Sequence, residues 1–277
     1  MSATPNGNSV LVGSDWKPFG NALVNIGGVW RQAGKKYVYQ NGQWNDIQIA
    51  YGNAVIAREP INYWRLGESA GPTAYDEMGN LDGTYTNFDG GYSSTSEVND
   101  NDTCCHFASN NYIQCPDPGN PYSVPVEGSL LIELWINLSS ISSQSHYFIN
   151  KWQGVPAAEK TFYVQGNSGG YLEFNVHDSS GNILITQTSS ACSTGQWYYC
   201  VFLYKNKTST IYVNGTSWGT NSNASFTGTL APSSSVVSIG RPEQFTIYWS
   251  NTYIDEIAIY DYDWYTPLTN KDWYNYL

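Results

Sequence analysis

Ser129-Leu130-Leu131-Ile132-Glu133-Leu134-Trp135-Ile136-Asn137-Leu138 alternates in character. Successive side chains of a strand point to opposite sides, so Leu130, Ile132, Leu134, Ile136 and Leu138 share one face. Glu133, Trp135 and Asn137 share the other. The pattern predicts a half-buried antiparallel strand with one face on the core. Working outward, Trp197 to Tyr204 is apolar on both faces and predicts a central strand. Ser209 to Val213 follows, and Asn214-Gly215 closes it with a hairpin-turn signal. Val236 to Ile239 and Tyr253 to Tyr260 predict two further strands. No stretch sustains a 3.6-residue apolar period, so helix is expected to be minimal. One short turn is expected between Thr266 and Tyr276, with Pro267 at its start. The fold class that follows is all-β, an antiparallel jelly-roll β-sandwich.

Ahead of this body lies a different pattern. Trp16, Trp30 and Trp44 recur every 14 residues, and Val10, Val24 and Val38 keep the same register. Gly27-Gly28 and Asn41-Gly42 are turn dipeptides that tolerate positive φ. Each unit reads as a short strand, a tight turn and a Trp opening the next strand. So short a β unit cannot bury its own face and must stack on neighbours, a partner chain or a larger assembly. The division expected is a repeated β-hairpin arm over 1–52, with Trp16, Trp30, Trp44, Gly28 and Gly42 as its assembly residues, and a sandwich over 53–277. Over roughly residues 8–49 the repeat resembles short Trp/Gly units near the ends of many bacteriophage virion proteins. That resemblance implies an attachment segment.

The chain of 277 residues can bury a sizeable core. Aromatics make up 16% while charged residues make up only 13%, which rules out a charged disordered tail. No apolar run approaches the roughly 18 residues of a membrane span. A net charge of −11 argues against coating nucleic acid. The charge is uneven. Residues 1–58 hold five basic residues against Asp15 and Asp46, and the remainder is strongly acidic, so arm and body prefer different partners. The start, MSATPNGNSV, has neither a basic nor an apolar signal region, so no secretory signal is expected. Cys104, Cys105, Cys115, Cys192 and Cys200 fit no zinc spacing. Cys192 and Cys200 flank a turn and could pair, but Cys200 sits in an apolar strand pattern. Reduced, buried thiols and assembly in a host cytoplasm are the expectation.

Seven short motifs then occur in order. They are Asn62-Tyr63-Trp64-Arg65-Leu66-Gly67-Glu68, the stretch from Ala74 to Tyr85 with Asp76, Gly79-Asn80 and Asp82-Gly83-Thr84, and Glu133-Leu134-Trp135. Trp197 to Val201, Ile211-Tyr212-Val213-Asn214-Gly215, Ser238-Ile239-Gly240 and Ile254-Asp255-Glu256-Ile257-Ala258-Ile259-Tyr260 complete the series. Together they resemble the concanavalin A-like lectin/glucanase superfamily, in its laminin-G-like and pentraxin-like branch, over nearly the whole body. The resemblance implies the sandwich and a lectin-like role.

Glucanases of that superfamily carry E-x-D-x-x-E, which supplies paired carboxylates for acid and nucleophile. This sequence lacks it. Asp255 and Glu256 are adjacent, so on a regular strand they face opposite ways. Glu133 and Asp255 lie in apolar strands and are each expected near a sheet end with a hydrogen-bonding partner. His106, His146 and His177 are scattered, and there is no G-x-S-x-G or P-loop. No catalytic residue is assigned, and the chain is read as a non-enzyme. The resemblance implies no cofactor beyond a structural calcium, for which Asp76, Asn80 and Asp82 are candidates; the competing reading is that they bond their own turn. Asn99 to Asp102 is a second acidic cluster. Sugars stack on exposed rings, and Trp152, Trp218, Tyr248 and Trp249, in or beside polar loops, are the candidate glycan-binding residues; the competing reading is that they pack between subunits or seal the sandwich. Trp264 and Trp273 lie in the tail.

The sequence-level conclusion is a phage virion structural protein: a tail fibre, tail-associated adhesin or capsid decoration. Its arm anchors it to other virion proteins, and its lectin-like domain faces host-surface polysaccharide. Phage-fibre analogy implies a homo-oligomer. Neither nucleic acid nor membrane insertion is expected. The alternative is a free-standing, non-catalytic carbohydrate-binding module.

Overall fold

A computed structural model describes residues 51–88, 90–96, 98, 102–108, 110–141, 145–152, 160–242 and 251–265, together with six short strands of the arm. Two units separate by their internal contacts, Met1–Ile49 and Ala50–Leu277.

In the first unit, β1 (Ser9–Val12) pairs with β2 (Asp15–Pro18), β3 (Leu23–Ile26) with β4 (Val29–Gln32), and β5 (Tyr37–Gln40) with β6 (Gln43–Asp46). The three antiparallel hairpins share one register. Trp16, Trp30 and Trp44 stand opposite Leu11, Asn25 and Tyr39. The turns holding Gly28 and Gly42 lie outside the described residues.

The second unit opens with a one-turn helix, α1 (Tyr51–Ile56). Its strands are β7 (Asn62–Trp64), β8 (Thr73–Ala74), β9 (Gly83–Thr86), β10 (Ser94–Thr95), β11 (Thr103–Phe107), β12 (Tyr112–Cys115), β13 (Ser129–Leu138), β14 (His146–Trp152), β15 (Lys160–Gly166), β16 (Tyr171–His177), β17 (Ile183–Ala191), β18 (Trp197–Lys205), β19 (Thr208–Val213), β20 (Thr216–Ser222), β21 (Val237–Ile239) and β22 (Thr252–Tyr260). They form two antiparallel sheets. The first runs β10-β11-β22-β13-β18-β19-β20, with β7 also pairing β22. The second runs β17-β16-β15-β14-β21-β12-β9-β8. This is the all-β sandwich the sequence predicts. The turn residues of Thr266 to Tyr276 fall outside the described residues.

The main core lies between the sheets. Leu130, Ile132, Leu134, Ile136 and Leu138 of β13 meet Phe148, Phe162, Val164, Phe174 and Val176 of the second sheet. β18 is central, between β13 and β19, and buried on both faces as expected. Asn214 and Gly215 take φ of 50° and 78°, the left-handed pair that a two-residue hairpin requires. Gly240, at φ +86°, is needed twice over, since a Cβ there would sit 2.2 Å from the Phe107 ring.

Three expectations about the first sheet fail. β13 is buried on both faces rather than half-buried, because a second apolar layer roofs the sheet's outer face. Tyr51 and Val55 of α1 pack there with Leu131, Trp135, Tyr199, Val201, Tyr260 and Tyr265. Glu133 and Asp255 also sit within their strands, not at a sheet end. Glu133 stands opposite Val201 on one side and Ala258 on the other. It is fully buried, accepts hydrogen bonds from the Tyr199 and Tyr260 hydroxyls, and lies 3.7 Å from the Arg58 guanidinium. Finally, Asp255 and Glu256 do not face opposite ways. The register of β22 on β13 slips between Glu133 and Trp135, and Glu256 takes φ of 55°. This bulge turns both carboxylates away from the core while Ile254 and Ile257 face it. Glu256 accepts from the Tyr63 hydroxyl and from Arg65 Nε at 3.2 Å, and Asp255 accepts from Ser96 Oγ.

Candidate functional site on the second sheet

The outer face of the second sheet is built from the positions that strand alternation leaves over. Ile113, Ile149, Phe162, Val164, Phe174, Val176 and Leu184 turn inward. Their neighbours turn outward and line up by register: Thr84, Gln114, Ser238, Asn150, Tyr163, Asn175 and Ile185 form one unbroken row across seven strands. Gln165, Glu173 and Gln187 run alongside it.

Most of these side chains are polar, yet Asn150, Gln165, Asn175, His177 and Ser238 are buried. Asn150 Nδ2 donates to the Ser238 carbonyl at 3.1 Å, and Gln165 Nε2 donates to Glu173 at 2.6 Å. Among the described residues their other ends have no partner. Asn150 Oδ1, Gln165 Oε1, both amide atoms of Asn175, His177 Nε2 and Ser238 Oγ are buried and unbonded. Each such atom costs about 1–3 kcal/mol unless water or a ligand meets it. Burial, and then the charge of Lys160, pull the His177 pKa down to about 4, so the imidazole is neutral near pH 7. Burial, and then Glu173, push the Tyr163 phenol up to about 12.

An aromatic platform borders these atoms. Trp152 stacks on Tyr163 with centroids 5.0 Å apart, and Tyr147 lies 5.7 Å from Trp152. Lys160 Nζ rests 5.0 Å above the Trp152 ring. At the sheet edge, Ile183 and Ile185 are each 49% exposed. The edge itself is capped, because Asn223 and Asn221 side chains donate to the carbonyls of Ile183 and Ile185.

Of the residues selected from sequence, Trp152 belongs to this face. Trp218 does not. It lies on β20 of the other sheet and packs edge-on to Tyr198 against the core. Tyr248, Trp249 and Trp273 lie outside the described residues. Trp264 sits in the roof of the first sheet, 3.9 Å under Arg58. The Asp76 carboxylate accepts from Asn62 Nδ2 and from the backbone N–H groups of Tyr63, Met78, Asn80 and Leu81. Asp82 accepts from Asp76 N, and Asn80 Nδ2 donates to the Ile61 carbonyl. Both Asp76 oxygens are thus engaged by protein donors, within the turn and from β7. Among the described residues no group of three His, Cys, Asp or Glu is placed to hold a metal ion. In the second acidic cluster, Asp102 pairs with Arg65 at 2.8 Å, and its neighbours 99–101 are not described. All five cysteines are buried free thiols, Cys192 and Cys200 included. Asn150, Tyr163, Gln165, Asn175, His177 and Ser238 were not anticipated. Their one signal is a polar residue between two apolar ones, as in Phe174-Asn175-Val176, and a solvated face writes the same pattern.

The model of the concanavalin A-like lectin/glucanases superfamily matches residues 107–264, more than half of the sequence. The chain belongs to this superfamily. Solved structures agree on the fold. The binding domain of Paraclostridial Mosquitocidal Protein 1 is 15% identical with a TM-score of 0.57, over 77% of this chain and 52% of that one. The botulinum neurotoxin serotype D ligand-binding domain, solved in complex with N-acetylneuraminic acid, is 13% identical with a TM-score of 0.52, over 77% and 49%. Trypanosoma rangeli sialidase is 10% identical with a TM-score of 0.53, over 83% and 33%. The superfamily member described here spans about half the length of the toxin domains it matches. At these identities the likeness is one of fold. No curated protein matches the sequence.

Proposed function

We propose that the sandwich is a non-catalytic carbohydrate-binding domain that takes a glycan across the outer face of its second sheet. One observation carries this reading: buried, unbonded polar atoms of Asn150, Gln165, Asn175, His177 and Ser238 coincide on one face with the stacked Trp152–Tyr163 pair. Sugar hydroxyls suit the first group and sugar C–H faces suit the second. Membership of a lectin-like superfamily supports it, as does a structural relative bound to N-acetylneuraminic acid. Glu173 is the one carboxylate among the described strand residues of this face, and two are needed for ordinary glycoside hydrolysis. That favours binding over catalysis.

The hairpin arm extends the proposal. Three two-stranded units in identical register, each too small to be stable alone, suit attachment to a larger assembly. With the resemblance of the repeat to phage virion segments, this supports a virion protein, homo-oligomeric, displaying the domain toward host polysaccharide. The fold shared with toxin binding domains favours a second reading, a free-standing module.

A glycan array probed with the full chain, Trp152→Ala and Asn175→Ala tests the site. Both variants should lose about tenfold or more in affinity while remaining folded. Binding that survives both would place the sugar elsewhere. For the arm, electron microscopy of particles carrying the chain should find residues 1–49 against a neighbour. Trp16→Ala, Trp30→Ala and Trp44→Ala combined should abolish incorporation, and normal incorporation would leave the module reading.

A further inference from the structure

We infer that the glycan taken by this face is acidic, with its carboxylate or sulfate groups read by Arg241 and Lys160. The inference rests on the assignment of the second sheet's outer face as the glycan site. It starts from the charges. In a chain of net charge −11, carboxylates outnumber cations, and five of the seven described cations of the body are paired with them. Arg58 faces Glu133, Arg65 faces Asp102 and Glu256, Lys151 faces Asp117, Lys205 faces Asp263, and Lys207 faces Glu127. Among the described residues, Lys160 and Arg241 have no carboxylate partner, and both lie on this one face.

Arg241 is 5% exposed. Its guanidinium lies 4.0 Å over the Tyr112 ring, Nη1 donates to Asn110 Oδ1, and Nε is buried without a partner. Stacking and a neutral amide orient the fork but do not neutralise it. A buried cation left so is costly unless an anion completes it. A fixed guanidinium matches the two oxygens of a carboxylate or sulfate. The Asn110 that holds it also lines an open polar cleft of about 550 Å3 with Asn87, His106 and Asn111. That volume admits a sugar ring, and Asn110 is the residue the cleft shares with the Arg241 contact. Glu173, the nearby acid of the face, is already engaged by Gln165 and Asn167.

Register sets the spacing. Arg241 follows β21, level with the Tyr147 end of β14, whereas Lys160 stands opposite Trp152 at the other end. At about 3.3 Å per residue and 4.8 Å per strand, the two cations are on the order of 15–20 Å apart. A single sugar reaches one of them, and an oligosaccharide with repeated charge reaches both.

Titration calorimetry on the full chain tests this with four probes: polysialic acid and polygalacturonate for carboxylate, heparin for sulfate, and dextran as a neutral chain. Carboxylate or sulfate chains should bind, weaken steeply with salt, and lose about tenfold in Arg241→Lys and Lys160→Gln. Arg241→Lys keeps the charge but not the fork, and Lys160→Gln alters a part-exposed residue, so both should fold. The arm that binds decides between carboxylate and sulfate. Neutral chains bound as tightly as acidic ones, in a manner lost with Trp152→Ala but unmoved by both cation variants, would overturn the acidic ligand and leave the glycan site intact. Failure of all four probes, together with a silent glycan array, would remove both.

Discussion

The sandwich has two outer faces, and both hold polar side chains out of water. On the first sheet, Glu133 pairs with Arg58, Arg65 pairs with Glu256 and Asp102, and tyrosine hydroxyls donate to Glu133 and Glu256, although Trp264 Nε1 and the Tyr265 hydroxyl of the roof are buried without a bond. On the second sheet, Asn150, Asn175, His177 and Ser238 keep unbonded atoms, and Arg241 keeps an unpaired charge. A carboxylate closed off by its own counter-ion and hydroxyl donors fixes a structure, whereas side-chain amides without a bond leave donors and acceptors to be met by water or a ligand. Charge pairing, more than residue type, distinguishes the two faces, since each is rich in Tyr and Trp.

The widest separation should come from Glu133→Ala. It strands the Tyr199 and Tyr260 hydroxyls inside the roof and takes the counter-ion from a part-exposed Arg58, and urea unfolding should read a loss of about 2–5 kcal/mol, with glycan affinity of the folded fraction unchanged. A loss under about 1 kcal/mol would mean that the network is not closed. Acid should act from the other face. The folded pKa of His177 is about 4 against 6.5 in the free side chain, so between these values the unfolded chain binds the extra proton. His177 therefore adds stability that is full above pH 6.5 and is lost as pH falls toward 4, about 3 kcal/mol in all. His177→Gln should flatten that slope in a pH series of unfolding curves. An unchanged slope would show that the imidazole is not held neutral.

Asn175→Ala should do the reverse of Glu133→Ala. Neither amide atom has a protein partner, so unliganded stability should stay within about 1 kcal/mol while glycan binding disappears. Equal destabilisation by the two variants would erase the distinction between the faces. The smallest effect concerns metal. The lone pairs of Asp76 are taken by N–H donors, so EDTA should leave the melting temperature of the calcium-equilibrated protein where it was. A drop of several degrees would restore the calcium reading.

The fold was legible because its signals are local. The two-faced apolar run of β18, the alternation of β13 and the Asn214-Gly215 turn each need only their own residues. The roof was not legible. Tyr51 and Val55 come from far upstream and Tyr265 from far downstream, so nothing near Glu133 reveals what covers it. The bulge in β22 was hidden too, since its left-handed residue is Glu256 rather than a glycine. For the site, Trp152 was readable as a ring beside a polar loop. Asn150, Asn175 and Ser238 were not, because an outward polar residue writes the same local pattern whether it is solvated or buried. Trp218, chosen on the same signal, packs partly buried against the core from the other sheet.

The capped edge of β17 bears on how such a domain behaves in a crowd. Open strand edges with aliphatic side chains seed sheet-to-sheet polymerisation. Here Ile183 and Ile185 are exposed, but the carbonyls beside them are held by Asn223 and Asn221. Those two carbonyls are therefore not on offer to a strand of a neighbouring copy, although the aliphatic side chains beside them face solvent.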